Sequence, residues 1–373
     1  MKLLSFQIEF ITPCLCGGAE PEQKAEVRAP SIRGQLRWWF RVLEGFRCLN
    51  DLDVRMQENQ IFGTVGENSK ASKLIARVNT STIKSENDIN ANTDPIIKNY
   101  ILFPLRKEKR GVIDKDQSFE LQIDWRGTEK PFKNKEELKE NIKALISIWV
   151  HLGGLGFRSR RGFGALAGKK DELFELKNAL SYFNKPKNIE IYYYIPQPPL
   201  PFLFKNAQEA LKKICEWYKS WRTHGLISGQ SEPPNNPGFH YARRDHNEGL
   251  EVLGENINND PYQPLGVKGE TFRAALGLPI IQYFRKTKET VSWYPFKDKT
   301  GRFASPILLR PYKHDTNQYY GLVIFVEIFK WNSSQDVYLI AGGEKVPKKV
   351  SVSLDLYNAM KKDQKLTPFL PFL

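Results

Sequence analysis

Residues 153–166 read GGLGFRSRRGFGAL, placing five glycines, three arginines and two phenylalanines on one short stretch. Such a segment suits a phosphate cradle for a nucleotide, a clamp on a nucleic-acid backbone, or a plain solvated loop. The first fails on context. G-x-x-x-x-G-K-[ST] is absent, Gly154-x-Gly156 lacks a third glycine, and no clear strand precedes the loosened Gly162-x-Gly164-x-x-Ala167 pattern. A backbone clamp is more natural. Glycines such as Gly154 and Gly156 let main-chain N–H groups approach phosphates, and Arg158, Arg160 and Arg161 supply charge. Phe157 and Phe163 either stack on bases or pack inside, with packing expected for at least one.

Arg33, Arg37 and Arg41 are spaced four apart. On a helix each is displaced by only about 40° from the last, giving one basic stripe whose guanidinium forks match phosphate oxygens. Trp38 lies off the apolar face and is placed to stack on a base. The bland alternative is a solvated face with Glu44 partly neutralising Arg37 or Arg41.

A nuclease is the enzymatic rival. His240 and His246 stand near Tyr241, Arg243, Arg244 and Asp245, types that serve metal-free activation of a ribose hydroxyl, although no spacing is diagnostic. Cys14 and Cys16 form C-x-C without a second pair, which predicts ordinary reduced thiols. Asp51 and Asp53 are a common D-x-D pair. No metal or cofactor is expected.

The elements that carry these residues follow from periodicity. Leu4, Phe6, Ile8 and Phe10 alternate with polar residues, so the signal-like start MKLLSFQIEFI reads as a first strand of a cytoplasmic protein. SIRGQLRWWFRVLEGFR predicts a helix with Ser31 as N-cap and an apolar face at Ile32, Leu36, Trp39, Phe40 and Leu43. Strands are expected at 73–80, 100–105 and 118–125, around an exposed insertion at 81–99. Asn134 and Glu137 open a helix over 134–152, Gly153 sits where a positive φ ends it, and FGALAG returns as a short strand. The order β-α-β-β-α-β is ferredoxin-like.

A second unit begins near 188–201, with a helix at 206–222, a long loop over 227–249, and a helix resuming in VKGETFRAALGLPIIQYF. Strands are expected at 303–312, 319–329 and 336–342, and a helix at 352–362. Ser31-Ile32-Arg33-Gly34-Gln35 resembles Gly266-Val267-Lys268-Gly269-Glu270, which reads as a duplicated loop-into-helix element. The expected fold class is therefore α+β, two tandem ferredoxin-like (βαββαβ) domains at 1–186 and 187–373, the second with an insertion at 227–263.

The 373 residues carry 56 Lys and Arg against 42 Asp and Glu, a formal charge of +14. That surplus attracts polyanions, of which nucleic acid is the commonest partner for a chain without an apolar run of membrane length.

APSIRGQLRWWFR (29–41) resembles the signature of the RAMP-superfamily subunit that opens the Cmr, or type III-B, CRISPR RNA-targeting complex. GGLGFRSRRGFGAL resembles that family's glycine-rich loop, PLGVKGETFRAAL (264–276) its second helix start, and RFASPILLRP (302–311) the strand that follows. The resemblance implies two RRM-like domains and a non-catalytic subunit that binds single-stranded guide or target RNA, beside other Cmr subunits, in antiviral defence. It places the subunit near the 3′ end of the guide and leaves target cleavage to another subunit. Carried onto this chain, the basic contacts are Arg33, Arg37, Arg41, Arg158, Arg160, Arg161, Lys268 and Arg273. No RNP-type motif occurs, so loops and helix starts are expected to grip RNA in a basic groove rather than the sheet face. The alternative is a metal-independent CRISPR-RNA-processing endoribonuclease of the same superfamily. Those enzymes usually carry their glycine loop near the C-terminus, whereas here it closes the first half.

Overall fold

The computed structural model describes residues 2–67, 69–86, 94, 97, 100, 102, 110–196, 203–223, 236–255, 257, 269–315, 318–327, 336–342 and 346–369. The fold is α+β. The chain begins with β1 (Lys2–Phe10), α1 (Ala29–Val42), α2 (Val54–Phe62), β2 (Leu74–Asn79), the ribbon β3 (Ser85–Glu86) and β4 (Val112–Ile113), β5 (Ser118–Trp125), α3 (Lys135–Leu152) and β6 (Leu166–Gly168). Four of these strands form a sheet in the order β2-β5-β1-β6, with every neighbouring pair antiparallel.

After α4 (Leu176–Leu180) come β7 (Ile189–Tyr194), α5 (Ala207–Arg222), α6 (Phe239–Val252), β8 (Glu270–Thr271), β9 (Ile280–Phe284) and β10 (Glu289–Tyr294). The chain continues through β11 (Ile307–Asp315), β12 (Gln318–Val326), β13 (Asp336–Ala341), β14 (Lys348–Val352), α7 (Asp355–Lys361) and β15 (Leu366–Pro368). A second four-stranded sheet runs β11-β12-β7-β15, and a five-stranded sheet runs β8-β14-β13-β10-β9.

Two compact units result. The first comprises Met1–Cys215, Leu308–Val326 and Thr367–Leu373; the second comprises Glu216–Ile307 and Glu327–Leu366. The expected cut at 186/187 is a single sequence boundary, whereas the units return on themselves, because β11 and β12 hydrogen-bond into the sheet that contains β7.

In the first unit α1 packs on α3. It buries Ile32, Leu36, Trp39, Phe40 and Val42, residues at helical spacing whose burial is the main force holding it. Phe40 meets Phe46 and Phe62 edge-on at 5.1 and 5.7 Å, a geometry that aromatic quadrupoles favour. α3 starts as the sequence predicts: Asn134 Oδ1 accepts from Glu137 N at 2.9 Å, and Glu137 Oε2 accepts from Lys133 N at 2.8 Å.

Several expectations are corrected. α1 begins two residues before Ser31, with Pro30 in its first turn and Arg28 at the N-cap, where no side chain bonds; proline's fixed φ is ready-made for that turn. Gly153 has φ −94° rather than a positive value. It is needed for close approach, since a Cβ there would lie 2.6 Å from Trp149 Cδ1 and 2.7 Å from Trp39 Nε1. The loop expected over 227–249 contains the start of α6, whose buried Phe239, Ala242, Asp245 and Gly249 recur at helical spacing behind a Pro- and Asn-rich lead-in. The helix expected after residue 267 is instead β8, a short 3₁₀ turn at Arg273–Leu276, and β9. Gly277 and Pro279 prevent helical continuation, so the proposed duplicated element does not open a second helix. The strand expected at 100–105 falls mostly outside the described residues.

Candidate nucleic-acid interface

The glycine loop is a folded knot, and its glycines serve the chain's own close contacts. Leu155 N donates to Gly164 O at 3.0 Å, Gly164 N to Pro13 O at 2.8 Å, and Phe157 N to Leu15 O at 2.9 Å. Arg161 N donates to Arg158 O at 2.7 Å and Gly162 N to Ser159 O at 3.2 Å. Gly164 has φ +58°, and a Cβ there would sit 2.1 Å from Leu155 O; at Gly156, with φ +79°, it would sit 2.6 Å from Leu15 O. These glycines are required by backbone crowding and left-handed φ. Gly162 and Gly164 thus give their N–H groups to carbonyls of the chain itself. Leu309 N donates to Arg160 O at 3.1 Å, tying the loop to β11.

Arginines decorate this knot unequally. Arg161 is buried at 8% exposure, with its Nη1 donating to Arg160 O at 3.1 Å. Arg158 adopts φ +61° and lies 5.2 Å from the ring of Phe157, which Arg110 also approaches at 5.3 Å. Phe157 is exposed while Phe163 is buried, so one phenylalanine packs inside, as expected. Arg160 is half-buried and covers Trp38, its guanidinium 4.6 Å from the ring. Burial and then the charge of Arg161 lower the Arg160 pKa to about 10, leaving it cationic at neutral pH.

Beside this pair lies a cavity of about 210 Å³, lined among others by Gly34, Trp38, Trp39, Gly153, Ser159 and Arg160. Helix α1 and the glycine loop, two motifs 120 residues apart in sequence, thus build one site within the first unit.

The basic stripe of α1 is real but partly neutralised. Arg33 is exposed. Arg37 Nε donates to Glu58 Oε1 at 2.7 Å, and Arg41 donates to both Glu58 oxygens at 2.7 and 2.6 Å. The acid comes from α2, which sequence reasoning missed; Glu44 pairs with Lys185 instead. Burial alone would raise the Glu58 pKa, but the bonds from Arg41 and Arg37 reverse that and hold it below the usual range. Asp53, considered for metal binding, caps α2 by accepting from Met56 N at 2.8 Å.

A further residue went unnoticed. Arg310 of β11 is 2% exposed, and its Nη2 donates to Val150 O and, at 2.6 Å, to Leu166 O. It pins the end of α3 and the start of β6, where the unsatisfied carbonyls of a helix C-terminus favour a cation. Burial lowers its pKa to about 9. The only sequence signal is an arginine inside an apolar strand.

The remaining candidates belong to the second unit. Arg273 is an internal strut: its Nε meets Asp245 Oδ2 at 2.8 Å and its Nη2 donates to Gln282 Oε1 at 2.7 Å. Asp245 is fully buried and also accepts from Phe272 N and Arg273 N at 2.8 and 2.9 Å. Lys268 lies outside the described residues. His240 is exposed, while His246 stacks on Phe284 at 4.7 Å and hydrogen-bonds Gln282 through Nδ1. Six residues apart on α6, the two are about 120° apart around the axis, so no dyad forms. Among the described residues no group of three or more His, Cys, Asp or Glu is placed to hold a metal, and no helix is long and apolar enough to cross a membrane.

Residues 7–167, from β1 through the glycine loop, match the model of the RAMP superfamily. At higher resolution, the chain is similar to two subunits of Pyrococcus furiosus. It is 32% identical to CRISPR system Cmr subunit Cmr1-1 over 180 residues, 44% of this chain and 47% of that protein. It is 27% identical to Cmr subunit Cmr1-2 over 176 residues, 43% of this chain and 92% of that protein. The matched region thus spans about half the length of the first relative. The crystal structure of Cmr1 from Pyrococcus furiosus in its apo form aligns over 98% of this chain and 97% of that one, with a TM-score of 0.52 at 16% identity, a likeness of fold.

Proposed function

We propose that this chain is a non-catalytic, RNA-binding RAMP subunit of a type III-B Cmr ribonucleoprotein. It binds single-stranded guide or target RNA and works beside other Cmr subunits. The observation that carries the reading is Arg160 over Trp38, both lining the cavity between α1 and the glycine loop. A cation above an indole suits a phosphate chain whose bases stack or turn inward. The Cmr1 relatives favour this assignment, and the charge of +14 agrees with it.

Tandem ferredoxin-like modules are part of the proposal. Within each four-stranded sheet, the first strand in sequence lies between the third and the fourth, and the second is at the edge. The two sheets share this order, although long segments interrupt the second. A non-catalytic role is favoured by the separation of His240 from His246 and by the packing of the His246 ring against Phe284.

The test uses end-labelled single-stranded RNA in EDTA, scored for binding on a native gel and for cleavage on a denaturing gel. Binding without cleavage is expected. Cleavage at one position, abolished by His240→Ala or His246→Ala, would replace this reading with the metal-independent nuclease.

A further inference from the structure

The cavity beside Arg160 has a feature that phosphate contacts leave unused. Trp39 is fully buried, and its indole Nε1 has no hydrogen-bond partner. Trp39 and Gly153 both line the cavity, and a Cβ on Gly153 would stand 2.7 Å from that nitrogen. Lacking a side chain, Gly153 lets the cavity wall close up against that nitrogen. Buried donors without partners are rare because losing hydration is costly.

Size narrows the occupant. About 210 Å³ far exceeds the roughly 30 Å³ share of one water, yet falls below the roughly 300 Å³ at which pockets for drug-sized ligands begin. One planar ring suits it better than a whole nucleotide cofactor. Glycines 34 and 153 leave flat wall, and Trp38, Ser159 and Arg160 bring an aromatic ring, a hydroxyl and a cation to the lining.

We propose that this cavity receives one nucleobase of the bound RNA, turned out of the strand, with an acceptor atom of the base taking the Trp39 Nε1–H bond. Arg160 holds the adjoining phosphate. The inference rests on the RNA-binding reading and deepens it. An indole donates only, and every base carries an acceptor on its edge, so the pocket senses that a base is present rather than which one. Unstacked single strands present such bases at little cost.

The experiment measures anisotropy of a labelled oligouridine dodecamer and of a length-matched abasic ribose-phosphate oligomer against the full chain. The wild type is expected to prefer oligouridine by about tenfold or more, the low end of one hydrogen bond plus stacking. Trp39→Phe should cut that preference by about twofold to tenfold, the share of the hydrogen bond, and leave abasic affinity unchanged. Because Trp39 is a core residue, Gly34→Leu provides a second variant. Nothing lies within 4 Å of a Cβ at Gly34, so a leucine there obstructs the cavity while improving the helix. A preference that survives Gly34→Leu overturns the proposal. Equal wild-type binding of both oligomers overturns it while leaving RNA binding intact; binding of neither overturns both.

Discussion

The guanidinium of Arg160 lies 4.6 Å from the ring of Trp38, joining the glycine loop to the first helix through a cation and an aromatic face. A desolvated pair of this kind contributes up to about 2 kcal/mol and an exposed one about 0.5–1. Arg160→Ala and Trp38→Ala are each expected to weaken single-stranded RNA binding several-fold. Their effects should be non-additive in a double-mutant cycle, because each residue positions the other. Additive losses would separate the two contacts.

Glu58 restrains the charge on α1. Glu58→Gln leaves Arg37 and Arg41 without their counter-charge, so RNA affinity at low salt should rise by a few-fold and the gain should fade as screening grows. The carboxyl also supports folding. Its folded pKa is lowered, so this contribution is present above the unfolded value of 4.5 and is lost as pH falls through the folded value. Acid titration of thermal stability, steeper in wild type than in Glu58→Gln, checks it.

His151 adds a second pH dependence. Burial holds its pKa at about 4, against an ordinary 6.5, with some opposition from its hydrogen bond to Phe174 O. The unfolded chain binds this proton more readily, so stability is full above pH 6.5 and falls as pH drops from 6.5 towards 4, by at most about 3 kcal/mol. His151→Gln should flatten the melting-temperature profile in that window.

Glycines of the loop and of the helix should behave in opposite ways. Gly164→Ala places a Cβ 2.1 Å from Leu155 O at φ +58°, and is expected to cost about 2 kcal/mol or more. Gly34→Ala enters open space within α1, and should stabilise by about 0.5–1 kcal/mol. Denaturant melts of the two variants test the contrast.

Local patterns made much of the first unit legible. Alternation marked β1, helical spacing marked the buried face of α1, and Asn134 with Glu137 marked the start of α3. Charge partners were less visible, because Glu58 reaches Arg37 from another helix and no spacing rule connects positions 21 apart. Arg161 and Arg273 look like surface cations in sequence, but tertiary packing buries the first and pairs the second with Asp245. The glycine pattern drew attention to the loop. Its role differs, since backbone crowding against Pro13 and Leu15, rather than an open cradle, requires those glycines. α6 was hidden because its polar, histidine-rich sequence follows a proline-rich lead-in and only a few small or aromatic residues mark its inner face.

The salt dependence of RNA binding by Arg33→Ala/Arg160→Ala against wild type tests the central claim most directly. Each phosphate contact on a single strand contributes about 0.7 to the slope of log K against log salt. The double variant should bind more weakly across unrelated sequences, with a slope shallower by about 1.4 if each arginine serves one phosphate. An unchanged affinity and slope, in a variant that melts like wild type, would show that α1 and the glycine loop do not hold the RNA.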